Sequence, residues 1–414
     1  MDPTKKRSAA RVVPTKATLL IAAVVLTTLG TASPTPAVHL DGSGECTFPA
    51  HPIKGTPWSL QRVLLDRLWQ GTDQGKGVRV AVIDTGVDDK NPQLAGAVDK
   101  AAGRDYLTKG KGGDPTDDQV GHGTKVAGII AARPHKGTGF VGLAPKATII
   151  PIRQNDADNS GNSDTMAQAI TYAVARGADV INISQDTTKP LSGTSALAEA
   201  VRKAIEHNVV VVASAGNDGL DGKVKNTYPA AFPGVLAVAS SDRNNERASF
   251  SQAGTFVGVA APGVDIVSTV PGGGQCTDNG TSFSAPFVAG VAALLKEKHP
   301  DWSTAQIVTQ IEQTAERSVN GHDNFVGWGV VDPVRAVQQS DITDPPSTPT
   351  PDPGPTKAPL PDVARFSLAE TPEQRNQRYA TYALGLTVTL VAVITGAAVV
   401  LRDLRRRQRR HLRG

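Results

Sequence analysis

Three polar residues far apart in the chain stand in settings suited to nucleophilic and acid–base chemistry. The stretch 279–295 reads Asn-Gly-Thr-Ser-Phe-Ser-Ala-Pro-Phe-Val-Ala-Gly-Val-Ala-Ala-Leu-Leu. A Gly-Thr-Ser turn runs into a helix that is apolar on every face, and such a helix has to be buried. Pro286 is expected in its first turn, where a missing N–H costs nothing. Ser282 then stands where free backbone N–H groups and the positive end of the dipole favour an anion. A nucleophile that generates an oxyanion belongs in such a place, although a serine at a helix start is also an ordinary N-cap. His122 lies in Gly121-His122-Gly123-Thr124, ahead of a small apolar helix over Val126–Ala132. Its flanking glycines let other segments approach the imidazole closely. The remaining histidines (39, 51, 135, 207, 299, 322 and 411) have polar or loop surroundings without that frame. Asp84 follows the run Val78-Arg79-Val80-Ala81-Val82-Ile83, which reads as a buried parallel strand. In open parallel sheets, function collects at the carboxyl ends of the strands.

The elements that must position these residues alternate regularly. Further strands are expected at Thr148–Arg153, Asp179–Ser184, Val209–Ala215, Leu236–Ser240 and Val257–Ala261. Helices are expected at Ser59–Gln70, Thr165–Arg176, Leu197–His207, Phe283–His299 and Ser303–Thr314, the last with a Ser303/Gln306 capping box. Strand–helix alternation predicts an α/β fold, a doubly wound, mostly parallel sheet with helices on both faces. The pattern ends near Val337, and no internal repeat is visible. Asp114, Asp117 and Asp118 lie in a Gly/Lys/Asp loop whose spacing matches no EF-hand. They are expected to be solvated.

The ends of the chain differ from its body. The net charge of +4 arises from the tails, since residues 1–16 hold five Lys/Arg and residues 402–414 hold seven Arg. Without them 31 basic residues face 37 acidic ones, which gives a nucleic-acid role no electrostatic support. Residues 1–37 read as a signal peptide, a basic start followed by a short apolar run; an uncleaved anchor is the alternative, and export follows either way. Residues 38–57 form an arm containing Cys46. The only other cysteine is Cys276, and in an exported protein such a pair favours one disulfide over two free thiols. The arm has too few residues for an ordinary folded pro-domain, so it is expected to lie along the domain spanning 58–340. A Pro/Thr-rich linker with a juxtamembrane segment (341–380) then leads to Thr381–Leu401, 21 residues without a charge. That run is long enough to cross a bilayer. The Arg-rich tail 402–414 should stay cytoplasmic, which puts the body outside the cell membrane.

Asp84, His122 and Ser282 occur in the order named for subtilisin. The blocks Val80–Val87, Gly121–Thr124 and Gly280–Ser282 resemble the three signatures of subtilisin-like serine proteases, and Ala213–Asn217 resembles that family's oxyanion block. The resemblance runs from about Trp58 to Ala336. It implies a subtilisin-like three-layer fold and a triad in which Ser282 attacks a peptide carbonyl, His122 relays the proton and Asp84 orients the imidazole. It further implies Asn217 as an oxyanion donor, and a substrate edge of Ser184, Gln185, Ser214, Ala215 and Gly216. This chemistry calls for no metal or cofactor. Gly-Thr-Ser-Phe-Ser is not the Gly-x-Ser-x-Gly elbow of lipases and esterases.

The signal peptide, arm, single domain, linker and C-terminal span resemble the mycosins, membrane-anchored proteases of type VII secretion. That likeness implies secreted protein substrates and a place beside a secretion membrane complex. A mainly structural role in that complex, with secondary proteolysis, is the alternative. Three positions depart from the family pattern. Ser184-Gln185-Asp186 replaces a frequent Ser-Leu-Gly on the substrate edge and should narrow or repolarise the primary pocket. Lys125 replaces a frequent His, and Ser284 a frequent Ala.

Overall fold

The computed structural model describes residues 46–107, 113–155, 161–340, 346–352 and 370–411. The expected signal peptide and residues 38–45 lie outside the described residues. Runs rich in Val, Ile and Ala form the strands β1 (Arg79–Asp84), β3 (Thr148–Arg153), β4 (Val180–Ile183), β5 (Val210–Ser214), β6 (Leu236–Ser241) and β7 (Val257–Pro262), and the pair Arg104–Asp105 adds a short β2. They pair in parallel in the order β2-β3-β1-β4-β5-β6-β7. The order reverses at β1, where later strands add to its other side, and a crevice forms outside the carboxyl ends at such a point.

Alternate strand residues serve two cores, as the period of two requires. Val80, Val82, Ile149, Val180, Val210 and Val212 face one helical layer. Ala81, Ile83, Ile150, Ile152, Ile181 and Val211 face the other. The first layer holds α1 (Trp58–Gln61), α2 (Leu65–Leu68), α3 (His122–Ala131), α6 (Thr281–Lys298), α7 (Thr304–Thr314) and α8 (Pro333–Gln338); α4 (Ser163–Ala175) and α5 (Ala196–Glu206) form the second. The predicted capping box closes the start of α7.

Helix α6 crosses the centre of the first layer with 15 of its 18 residues buried. It begins at Thr281, so Pro286 sits in the second turn, not in the first as its sequence position suggested. A proline there withholds the N–H that would bond the carbonyl four residues earlier, that of Ser282.

The expected helix over Ser59–Gln70 is two short helices, α1 and α2. Between them Leu64 adopts a left-handed φ of 50° and turns outward. The break carries Leu64 out to solvent while Leu60, Val63 and Leu68 stay buried in the core. Strand β2, at two residues, is too short to announce itself in sequence. The antiparallel pair β8 (Ile266–Thr269) and β9 (Gln275–Asp278) turns through three successive left-handed glycines. No element was expected there.

The arm lies on this hairpin. Cys46 is bonded to Cys276, with a Cα–Cα distance of 6.0 Å. The Ala50 N–H donates to the Gly273 carbonyl at 3.0 Å, and the Ile53 N–H to Gln275 Oε1 at 2.8 Å. At the other end of the domain, part of the Pro/Thr-rich segment is held on the surface. The Thr350 N–H donates to Gln313 Oε1 at 2.8 Å, and Arg317 donates to the Thr350 carbonyl and the Asp352 carboxylate at 2.8 and 3.0 Å. Helix α9 (Pro372–His411) contains the uncharged run 381–401 and extends past it in both directions. Among the described residues it is the one helix long and apolar enough to cross a membrane. The hydroxyls of Thr381, Thr387, Thr389 and Thr395 bond carbonyls of the preceding turn, so none of these four is left unpaired.

Replacing Cys46 and Cys276 together by serine should lower stability by about 2–4 kcal/mol, since the bond closes a very long loop. Urea unfolding of the oxidised wild type against the double variant measures this. An unchanged midpoint would mean that the arm adds nothing to the domain.

Candidate active site

Asp84 ends β1 at the reversal of strand order, and its side chain is wholly buried. The N-terminus of α3 comes down onto this strand end only because residue 123 is glycine. A Cβ there would lie 2.0 Å from the Gly86 carbonyl oxygen and 3.0 Å from Asp84 Cβ. Gly121 enters the helix with φ +80°, a left-handed conformation that favours glycine. The approach places His122 Nδ1 2.7 Å from Asp84 Oδ1, which also accepts the Thr85 N–H at 2.8 Å. The imidazole side chain is 14% exposed, so one edge is open to a substrate.

Asp118 underlies this pair. It is buried rather than solvated, which corrects the sequence reading of its loop. Its oxygens accept the Gly121 N–H at 2.8 Å, the Thr124 N–H at 2.9 Å, the Thr124 hydroxyl at 2.6 Å and the Thr85 hydroxyl at 2.8 Å. Thr85 Oγ1 in turn accepts the Gly123 N–H at 3.0 Å. One carboxylate therefore ties the end of β1 to the first turn of α3 and fixes the imidazole. Burial pushes the Asp118 carboxyl upward against these hydrogen bonds. Asp118 carried no signal that set it apart from a solvated loop residue, and Thr85 stood within the Val80–Val87 block without being singled out.

Burial pulls the His122 pKa down, but the charge and hydrogen bond of Asp84, helped by the charge of Asp118, outweigh it and leave the pKa above the ordinary value. Lys125 opposes this, though its ammonium is paired with Asp278 at 2.8 Å.

Ser282 stands in the first turn of α6, beside this pair. The ring of the next residue, Phe283, lies 5.4 Å from the His122 ring, centroid to centroid. Two reciprocal hydrogen bonds hold Ser282 to the end of β4. Its hydroxyl donates to the Ser184 carbonyl at 3.0 Å, and the Ser184 hydroxyl donates to the Ser282 carbonyl at 2.9 Å. That second bond replaces the donor that Pro286 lacks. Asn182 Nδ2 fixes the Ser184 hydroxyl at 2.8 Å. The Ser282 hydroxyl thus rests on Ser184 rather than on His122, and a turn about its χ1 bond re-aims it.

Asn217 follows the end of β5. Its Oδ1 accepts both the N–H and the hydroxyl of Thr281, at 2.9 and 3.0 Å. This fixes the amide so that Nδ2 faces Gly280, where a Cβ would lie 3.7 Å away. The Ser282 N–H is a first-turn amide without an i−4 carbonyl partner.

The expected substrate edge divides in two. Ser214 and Ala215 are buried and offer the cleft only backbone, while Gly216 takes φ +101°. Gln185 is half-buried and accepts Gln154 Nε2 at 2.7 Å. With Asp186, Met166, Leu197 and Tyr228 it borders a cavity of about 280 Å³.

An NMR titration should place the His122 midpoint above the ordinary imidazole value of about 6.5, and Asp84→Asn should bring it down. Because the folded-state value is the higher one, the pair's stabilisation is complete below about pH 6.5 and is lost as pH rises through the folded value. A midpoint unmoved by Asp84→Asn would contradict this geometry.

Residues 75–329 match the Peptidase S8 subtilase family. Subtilisin E of Bacillus subtilis (strain 168) is 36% identical over 286 residues, 69% of this chain and 72% of that protein. M-protease of Shouchella clausii (strain KSM-K16) is 37% identical over 71% of this chain and 72% of its own. Among solved structures, the MycP3 protease from the type VII (ESX-3) secretion system aligns with a TM-score of 0.62 and 33% identity, over 69% of this chain and 90% of its own. MycP1 from Mycobacterium smegmatis aligns with a TM-score of 0.63 and 30% identity, over 78% and 91%. This chain therefore belongs to the subtilase family and is a serine endopeptidase of subtilisin-like fold.

Proposed function

We propose that Asp84, His122 and Ser282 form the catalytic triad and that Asn217 Nδ2 and the Ser282 N–H form the oxyanion hole. The observation that carries this reading is the 2.7 Å bond between His122 and Asp84 beside a serine at the start of a buried helix. When substrate fills the cleft, the Ser282 hydroxyl leaves the Ser184 carbonyl and turns to His122 Nε2. Its oxygen attacks the peptide carbonyl while the proton passes to the imidazole, and Asp84 stabilises the imidazolium. The developing oxyanion is met by donors already in place, which is where most of the barrier reduction arises. The imidazolium gives its proton to the departing amine. Water, deprotonated by His122, then releases the acyl group and restores the Ser282 hydroxyl.

The chain's organisation supports a setting for this chemistry. An apolar stretch inside α9 precedes an Arg-rich end, which favours a cytoplasmic C-terminus and an extracytoplasmic catalytic domain. Together with the likeness to MycP1 and MycP3, this favours a membrane-anchored protease that processes substrates of a type VII secretion system.

Ser282→Ala should abolish peptide hydrolysis by the detergent-solubilised chain. Asn217→Ala should lower kcat by about 10²–10³ with little change in KM, as loss of this donor does in a subtilisin. Hydrolysis that survives Ser282→Ala would overturn the assignment. Comparing secreted proteins from cells expressing wild type or Ser282→Ala tests the setting: fragments lost while secretion persists separate proteolysis from a structural role.

A further inference from the structure

We propose that Asp186 makes the pocket for the residue before the cut select a cationic side chain, so that the substrates are polypeptides cleaved after lysine or arginine. This rests on the peptidase reading above and specifies its substrate class.

The position of that pocket follows from the site. The attacked carbonyl must lie between the Ser282 hydroxyl, held by the Ser184 carbonyl, and the amide of Asn217. The side chain on its acyl side therefore enters between the segment leaving β4, Ser184–Asp186, and the segment leaving β5, Ala215–Gly216. Asp186 reaches across this gap. A Cβ on Gly216 would lie 2.9 Å from Asp186 Oδ2 and 3.0 Å from Thr227 Cγ2. The carboxylate thus spans from one wall to the other, and the Thr227 methyl limits depth beneath it. Thr227 is itself pinned, its hydroxyl donating to the Ala215 carbonyl at 2.8 Å.

Among the described residues Asp186 has neither an ion-pair nor a hydrogen-bond partner, and the charged group acting on it is a second carboxylate, Asp218, next to Asn217. Crowding by protein, then the Asp218 charge, push the Asp186 carboxyl up to about 6. A cation brought beside Asp186 offsets the repulsion it feels from Asp218. A neutral side chain would close over them without compensation, and an acidic one would add repulsion. A small residue would satisfy the narrow gap sterically, but it would leave the carboxylates unpaired in a cleft that substrate has closed to water.

The test uses the full chain in detergent and peptides identical except for the residue before the cut: Lys, Arg, Leu, Ala or Glu. Fluorophosphonate labelling of Ser282 is read in parallel. Lys and Arg peptides should give kcat/KM about tenfold or more above Leu and Ala, with Glu lowest. Asp186→Asn should cut the Lys/Leu ratio about tenfold while labelling is retained. Labelled enzyme that favours Ala or Leu, with a ratio unmoved by Asp186→Asn, would overturn the proposal. So would Asp186→Gly admitting Leu while Asp186→Asn changes nothing, because Asp186 would then be a steric plug. A wild-type chain neither labelled nor active on any peptide would instead overturn the peptidase reading, and this proposal with it.

Discussion

One missing N–H organises the centre of this protein. Pro286 withholds the amide that would bond the Ser282 carbonyl inside α6, and the Ser184 hydroxyl takes its place. The Ser184 carbonyl receives the Ser282 hydroxyl in return. A buried carbonyl must find a donor, so this exchange locks the start of α6 to the end of β4 with no freedom to slide. Everything that Ser282 has to meet is then fixed relative to one strand end. β1, β4 and β5 are neighbours in the sheet, and their carboxyl ends deliver Asp84, Ser184 and Asn217 side by side. Close packing of α6 against its layer converts that register into positional precision.

Beneath the site runs a polar network that an apolar core could not supply. Asp118 gathers donors from the end of β1 and the first turn of α3, and it is satisfied almost completely. Such a network adds specificity of geometry more than net stability, because burying its charge is itself costly. Asp186 shows the opposite design. It has no partner among the described residues and stands exposed at the cleft, where an incoming side chain can reach it. The contrast between two carboxylates within one crevice separates a residue that holds the site together from one that reads what enters it.

Much of this arrangement was legible in the sequence. Uninterrupted Val/Ile runs gave six of the seven sheet strands, since strands buried on both faces have no polar alternation to disguise them. The apolar α6, the glycines around His122 and the Ser303 capping box were readable for similar local reasons. What stayed hidden was non-local. The break at Leu64 falls in a stretch with no glycine or proline to mark it. The place of Pro286 depended on a helix start that hydrophobic pattern fixes only to within a turn. The burial of Asp118 depends on a threonine 33 positions away, and the distance between Asp186 and Gly216 on the pairing of two loops. Such meetings follow from the fold and leave no local trace.

The central claim is that α6 presents the residue 282 hydroxyl to an imidazole already oriented by residue 84. A crystal structure of the full chain after reaction with a peptidyl phosphonate tests it directly. The account predicts phosphorus bonded to Ser282 Oγ, His122 Nε2 within hydrogen-bonding distance of that oxygen, and the phosphonyl oxygen within reach of Asn217 Nδ2. An adduct on another residue, or one on Ser282 with the imidazole turned away and the Asn217 amide still remote from the phosphonyl oxygen, would contradict it.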